Sequence, residues 1–491
     1  MGLVRTIRNQ LLTHPRRIAV VDDQREWRSF ELLALSWHLA REIAAVTDRP
    51  RIGVMLPTSG LFPAAALATW TEGRTVVPIN YLLSPDEIAY ICADAELDAV
   101  VTVGPMVDLV GGLPAEIRQI RIDEMTDRLR RLPWPRRVKR LSPREPAVIL
   151  YTSGTSGRPK GVMLSEANLA ANVRQCRDWA NFTRADVMLG VLPQFHSFGL
   201  TVLTLLPLSH GCKAVFTARF IPRRLIDLAV KHRPTAFVAI PSMFNALRLV
   251  KSAPADAFAS LRYAVSGGEP LPRAVADGFA ERFGVSIDEG YGLTETAPVT
   301  NWCRPQEHRP GTVGRALAGI EERIVAADGR ECGIGEDGEV RIKGPNVMMG
   351  YFKRPEDTAA VFDEQGFFKT GDMGRLDAEG FLAITGRIKE MLIIGGENVF
   401  PREIEEVLDA HPSVKASAVI GMADESRGEV ALAFVELVDG AEFDETALRS
   451  HCRGRLGQHK VPREIRRLEA LPRNATGKIM RRHLTAETGR D

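Results

Sequence analysis

Ala147-Val148-Ile149-Leu150-Tyr151-Thr152-Ser153-Gly154-Thr155-Ser156-Gly157-Arg158-Pro159-Lys160-Gly161 decides how the rest of the chain is read. It joins an apolar run of strand type to a loop with four Ser/Thr hydroxyls, three glycines and a lysine. Glycines let backbone N–H groups converge on an anion, hydroxyls donate further bonds, and a lysine neutralises charge, so the loop suits a polyphosphate. The G-x-x-x-x-G-K-[ST] spacing of the common P-loop is missing, because Lys160 follows Pro159. Taken alone, such a segment reads as an ordinary turn. Its neighbours give it weight.

Outward from this loop, residues 52–56, 99–103, 147–151, 236–240 and 263–266 read as buried strands. Segments 31–45, 166–179 and 222–231 read as helices, with Ser29 and Ser165 as N-caps of the first two. The alternation predicts an α/β fold of layered subdomains with largely parallel sheets. Residues 129–146 carry four prolines and many arginines and read as a solvated connector, with a docking strip for an acidic partner or anionic lipid as the sharper reading. Character changes near Gly386-Arg387-Ile388-Lys389-Glu390. Beyond it, a helix from Pro401, strands over 416–421 and 430–437, and a helix from Asp444 predict a compact α+β module. The expected organisation is a large domain, 1–386, followed by a small domain, 387–491, on a hinge.

The 491 residues are too many for one ordinary core, and the hydrophobic content of 45% and charged content of 26% are those of a soluble globular protein. A net charge of +2 predicts no whole-molecule attraction to nucleic acid. The six cysteines, Cys92, Cys176, Cys212, Cys303, Cys332 and Cys452, are scattered and form no Cys-x-x-Cys pair, so a reduced cytoplasmic protein is expected, with neither disulfides nor a zinc site. No run is long enough to span a bilayer; Leu200–Leu208 is too short and is broken by Pro207. The first residues lack the apolar core of a secretion signal, and the myristoylation-like Met1-Gly2-Leu3-Val4-Arg5-Thr6 is read as chance.

Polar clusters follow the predicted strands. Ser266-Gly267-Gly268-Glu269-Pro270 ends one strand, and Glu289-Gly290-Tyr291-Gly292-Leu293-Thr294-Glu295 follows a second, read over 284–287. Ligands of α/β sheets bind at such carboxyl ends. Tyr291 suits stacking on a base, Thr294 a phosphate and Glu295 a Mg²⁺ ion. Lys369-Thr370-Gly371-Asp372 reads as a turn presenting a carboxylate to two hydroxyls of a ribose. Pro472-Arg473-Asn474-Ala475-Thr476-Gly477-Lys478 sets a lysine on a Gly-containing loop.

Eight segments in order, YTSGTSGRPKG, LPQFHSFGL, SGGEPLP, GYGLTETAPV, GEVRIKGPNVMMGYF, FKTGDMG, GRIKEMLIIGGENVFPREIE and PRNATGKI, resemble the acyl-activating, adenylate-forming superfamily, and most of all its AMP-forming fatty-acyl-CoA synthetases. The resemblance covers nearly the whole chain. It implies ATP, Mg²⁺ and CoA as cofactors. Thr152, Ser153, Gly154, Thr155, Ser156 and Lys160 would cradle the β- and γ-phosphates, and Gly267, Gly268, Glu269 and Tyr291 would frame the adenine. Thr294 would contact the α-phosphate, Glu295 would bind Mg²⁺, and Asp372 and Arg387 would hold the ribose. Lys478 would bridge the carboxylate and the α-phosphate, with Lys389 at the hinge. Ser156 stands where Thr is commoner, and Glu390 replaces a frequent Asp.

Amino-acid-activating relatives carry an Asp beside the Phe of the LPQFHSFGL segment; here Phe195 is followed by His196. His196, Ser197, Phe198 and Gly292 are therefore assigned to the acyl group, and a medium- or long-chain fatty acid is expected, with an aryl acid as the alternative. Gly395, Gly396 and Glu397 would form the channel for the CoA thiol. Acyl carrier protein is the alternative acceptor, met by Arg449, Arg453, Arg455, Lys460, Arg463, Arg466 and Arg467. A non-catalytic nucleotide-binding relative is a further alternative, and the expected state is a monomer or homodimer.

Overall fold

The computed structural model describes residues 2–125, 133–140, 145–152, 158–395, 397–424, 428–473 and 479–484. Two mixed sheets dominate the large domain. In the first, the strands run in the order Gly350–Tyr351, Lys160–Leu164, Val148–Thr152, Thr75–Pro78, Arg51–Met55, Ala99–Thr102 and Arg118–Arg121. The last five are parallel, and Lys160–Leu164 returns antiparallel to Val148–Thr152. In the second, Tyr263–Ser266 lies between Ala236–Ala239 and Asp288–Gly292, all parallel, with Val299–Trp302 antiparallel beyond.

Alternate residues of each strand enter different cores, as the period of two requires. Val54, Val76, Val101 and Val148 face a core shared with Val238 and Val265 of the other sheet. Met55, Val77, Val100 and Ile149 face helix Pro85–Asp94 on the outside, and Phe237, Ala239 and Ala264 face helices Pro222–His232, Pro241–Arg248 and Arg273–Phe283. The shared core is filled by helices between the sheets. Helix Leu61–Thr71 is buried at ten of its eleven positions, which explains why it is apolar all round rather than amphipathic. Both faces of each sheet are thus covered, and parallel strands read as continuous apolar runs for that reason.

The N-caps divide. Ser165 caps Glu166–Ala180 in a reciprocal box with Asn168. Ser29 is instead the first residue of helix Ser29–Val46; Arg28 is the cap, and its N–H donates to Glu31 at 2.6 Å. The strand expected over 284–287 begins later, at Asp288, because Gly284 takes the left-handed cap of helix Arg273–Phe283 with φ +69°. The described parts of the connector are 133–140 and 145–146; 133–140 is mostly exposed, as a solvated connector should be, and Lys139, 2.6 Å away, and Arg136 pair with the buried Glu72.

A third sheet, Glu321–Val325, Gly338–Lys343, Phe368–Leu376 and Leu382–Arg387, is antiparallel throughout. Asp372 therefore sits within a strand, not in the turn expected of Lys369–Asp372; Gly371 with φ +70° distorts the strand without ending it. The small domain packs helices Pro401–Asp409 and Glu445–Arg453 on a sheet of Glu397–Val399, Leu392–Ile394, Gly428–Leu437, Val414–Asp424 and Glu464–Leu468.

At the seam between the domains the Phe400 ring sits on Gly386, where a Cβ would fall 2.5 Å from it. Arg402 donates to the Ile384 carbonyl, and Arg481 joins Glu390 at 2.9 Å to Glu405 at 2.7 Å. Burial pushes the Asp409 carboxyl up to about 7, although Ser417 Oγ donates to it at 2.7 Å. A carboxyl with a raised folded-state pKa costs stability as pH climbs from about 4, where the unfolded group ionises, through the folded value. Asp409→Asn keeps an acceptor for Ser417 and removes the charge. It is expected to stabilise the small domain at pH 8 by up to about 4 kcal/mol, roughly three pH units at about 1.4 kcal/mol each, and to change little at pH 4. Calorimetric melting at both pH values checks this, and an equal shift at both would sink it.

Candidate active site

The carboxyl ends of the parallel strands converge on one cavity of about 960 Å³. Thr152 and Lys160 enter it from the first sheet, Gly267, Gly268, Glu269, Tyr291, Gly292, Thr294 and Glu295 from the second, and Arg387 and Lys389 from the domain junction. His196, Ser197 and Phe198 close a further side at the start of helix Ser197–Leu200. Ser153, Gly154, Thr155, Ser156, Gly396 and Lys478 lie outside the described residues. Arg473 and Met480, which flank residues 474–478, line the cavity, and Arg473 and Ile479 form a bridge that joins the two ends.

Short contacts organise the polar half. Tyr291 Oη donates to Asp372 Oδ2 at 2.6 Å, and Arg387 Nε meets Asp372 Oδ1 at 2.9 Å. Asp372 is only 3% exposed, and its charge raises the Arg387 pKa. Burial, with the Asp372 charge next, lifts the Tyr291 phenol well above its ordinary range and keeps it a donor. Glu295 accepts from Tyr351 Oη at 2.9 Å, and burial raises its carboxyl. Lys160 pairs with Asp357 at 3.0 Å and lies 5.3 Å from the centroid of the Tyr351 ring. Ser197 Oγ and Thr294 Oγ1 are 3.3 Å apart, and His196 Nδ1 accepts from the Phe198 N–H at 3.3 Å.

Two glycines are required by the backbone. Gly268 has φ +84°, and at Gly292 a Cβ would fall 1.8 Å from the Pro298 carbonyl oxygen. Gly395 and Glu397 do not line the cavity. They lie at the small-domain hairpin of Leu392–Ile394 and Glu397–Val399, where Glu397 is 3.0 Å from His459. Of the seven basic residues near the end of the chain, Arg449, Lys460 and Arg466 pair with Glu445, Glu403 and Glu464, while Arg453, Arg455, Arg463 and Arg467 are exposed.

The other half of the cavity is apolar. Leu192, Val202, Val238, Ile240, Val265, Val299 and Trp302 line it together with Cys176, whose thiol burial pushes up to about 12. Sequence reasoning missed Cys176, Trp302, Tyr351 and Asp357, none of which stands out by residue type in its own segment.

The AMP-binding enzyme family matches residues 7–352, and the AMP-binding enzyme C-terminal domain matches residues 403–478. The chain belongs to the AMP-binding enzymes. This AMP-binding enzyme is 34% identical over 446 residues to a sulfoacetate–CoA ligase of Cupriavidus necator, covering 88% of this chain and 86% of that one. It is 32% identical over 490 residues to a long-chain-fatty-acid–CoA ligase of Bacillus subtilis, covering 89% and 85%. Its structure matches that of ATP-bound MatB from Rhodopseudomonas palustris with a TM-score of 0.90 at 30% identity over 99% of both chains. The family and these relatives support an adenylate-forming acid–CoA ligase, while the acid differs from one relative to the next.

Proposed function

We propose that this chain is an AMP-forming acid–CoA ligase for an apolar monocarboxylic acid, a medium- or long-chain fatty acid before an aryl acid. The apolar half of the cavity carries this reading. Its wall of Leu192, Val202, Val238, Ile240, Val265, Val299, Trp302 and Cys176 holds no charged side chain. A second carboxylate or a sulfonate placed there would be buried with no cation to pair it and only the unpaired Trp302 N–H as a donor, at a cost of several kcal/mol. Each apolar methylene would instead contribute about 0.8 kcal/mol.

In the proposed first step the acid's carboxylate attacks the α-phosphorus of ATP and pyrophosphate leaves. Both reactants are anions, so the site must offset charge. Lys478 would lie between carboxylate and α-phosphate, and Thr294, near Ser197 at 3.3 Å, would donate to the latter. Asp372 and Arg387 would hold the ribose, and Gly267, Gly268, Glu269 and Tyr291 the adenine. Lys160 would exchange Asp357 for the triphosphate, alongside Thr152, Ser153, Gly154, Thr155 and Ser156.

Glu295 fits a Mg²⁺ ion. It is a hard oxygen donor at the cavity, and among the described residues no three metal-binding side chains cluster, so phosphate oxygens would complete the shell. The ion would neutralise phosphate charge.

In the second step the CoA thiol attacks the mixed anhydride and AMP leaves. Lys478 must first withdraw, and a turn of the small domain, 387–491, about Lys389 would remove it and bring Gly395, Gly396 and Glu397 to the cavity. The exposed Arg453, Arg455, Arg463 and Arg467 favour acyl carrier protein as the second reading of the acceptor.

Purified protein is expected to convert ATP to AMP and pyrophosphate only when an acid is present. A panel of fatty, aryl and dicarboxylic acids, with CoA, carrier protein or neither, checks this. Release of ADP and phosphate would reject the reaction; a preference for benzoate or a dicarboxylate would reject the acid; activity with carrier protein alone would reject CoA.

A further inference from the structure

We infer that Gly290 and Trp302 form the gauge that sets acyl chain length, an inference that rests on the apolar-acid reading above. Four neighbouring strands supply one face of the apolar chamber. Val238 is the register partner of Val265, and Gly290 is the register partner of Trp302. All four residues line the cavity. Val202 and Cys176 close the chamber from the helical side.

Gly290 and Trp302 have opposite effects on this space. A Cβ at Gly290 would meet nothing nearer than 3.5 Å, the Asn301 carbonyl oxygen and Val265 Cγ1. The glycine is therefore not forced by crowding, nor by a positive φ. It leaves open space that a side chain would fill. Trp302 is 4% exposed and cannot retreat, because its ring lies 5.4 Å from the Tyr263 ring and 6.1 Å from the Phe182 ring, both buried. A chain reaching Trp302 meets a packed aromatic cluster and stops there.

Two variants separate these roles. Gly290→Val is expected to move the preferred fatty acid to a shorter chain, with kcat/KM falling about fourfold for each methylene that no longer fits. Trp302→Leu is expected to move it to a longer one, and because Gly290→Val leaves the aromatic cluster intact, the gauge stays testable even if Trp302→Leu folds poorly. The assay is kcat/KM for straight-chain acids from acetate to palmitate, with the KM for ATP as a second readout that damage to the fold would raise for every acid. Opposite shifts of the optimum with an unaltered KM for ATP support the gauge. A wild type with a clear optimum that Gly290→Val leaves in place overturns the gauge alone. A wild type that turns over no straight-chain acid overturns the apolar-acid reading, and the gauge with it.

Discussion

Lys478→Ala is expected to slow acyl-adenylate formation by about 10²–10³-fold, while thioester formation from preformed acyl-adenylate proceeds at close to its original rate. The expectation joins the PRNATGKI resemblance to geometry. Arg473 and Met480 flank the segment that carries the lysine, and both line the cavity. A cation there meets two anions only while the P–O bond to the acid is being made. Once pyrophosphate has gone, only the single charge of the adenylate's phosphate would remain, so the lysine would matter less to the thiol's attack. Separate measurement of pyrophosphate release and of acyl-CoA formation from synthetic adenylate checks the split. Equal losses in both would mean that the variant damages the fold or that the lysine serves both steps.

Asp372→Ala is expected to lower kcat/KM for ATP by about 10²-fold, equivalent to about 2.7 kcal/mol, since it removes a charged acceptor from two donors at once. Tyr291 Oη at 2.6 Å and Arg387 Nε at 2.9 Å both rely on it. Asp372→Asn keeps an acceptor but loses the charge and should fall between. Steady-state kinetics with ATP and acid varied in turn reads the effect. A change in KM for the acid with none for ATP would remove Asp372 from the nucleotide site.

The strands under the site were legible because burial on both faces makes them continuous apolar runs, as at 236–240 and 263–266. Asp288–Gly292 was not. Its charged residues are satisfied by distant partners, His308 on Asp288 and the Leu271 N–H on Glu289, and Gly284, spent on a helix cap, displaced the strand expected before it. Asp372 looked like a turn residue because Thr370-Gly371 imitates one locally, while pairing with Leu382–Arg387 keeps the strand extended. Among the described residues, those that the motifs named share one cavity, except Asp372, Gly395 and Glu397. What the sequence could not disclose depends on distant partners. Asp357 meets Lys160 from 197 positions away, Tyr351 reaches Glu295 from 56, and Trp302 acquires meaning only through its register with Gly290.

The thiol of Cys176 bears on chemical self-restraint. An acyl-adenylate is a reactive acylating agent, and one formed in this chamber would lie beside Cys176 of the lining. A nucleophilic thiol in that position would compete with the intended acceptor and poison the catalyst by acylating it. With burial pushing the thiol up to about 12, the nucleophilic thiolate is scarce at pH 7. The burial that walls in the chamber therefore also passivates the sulfur, so that an intermediate formed there could wait for its acceptor without consuming its host.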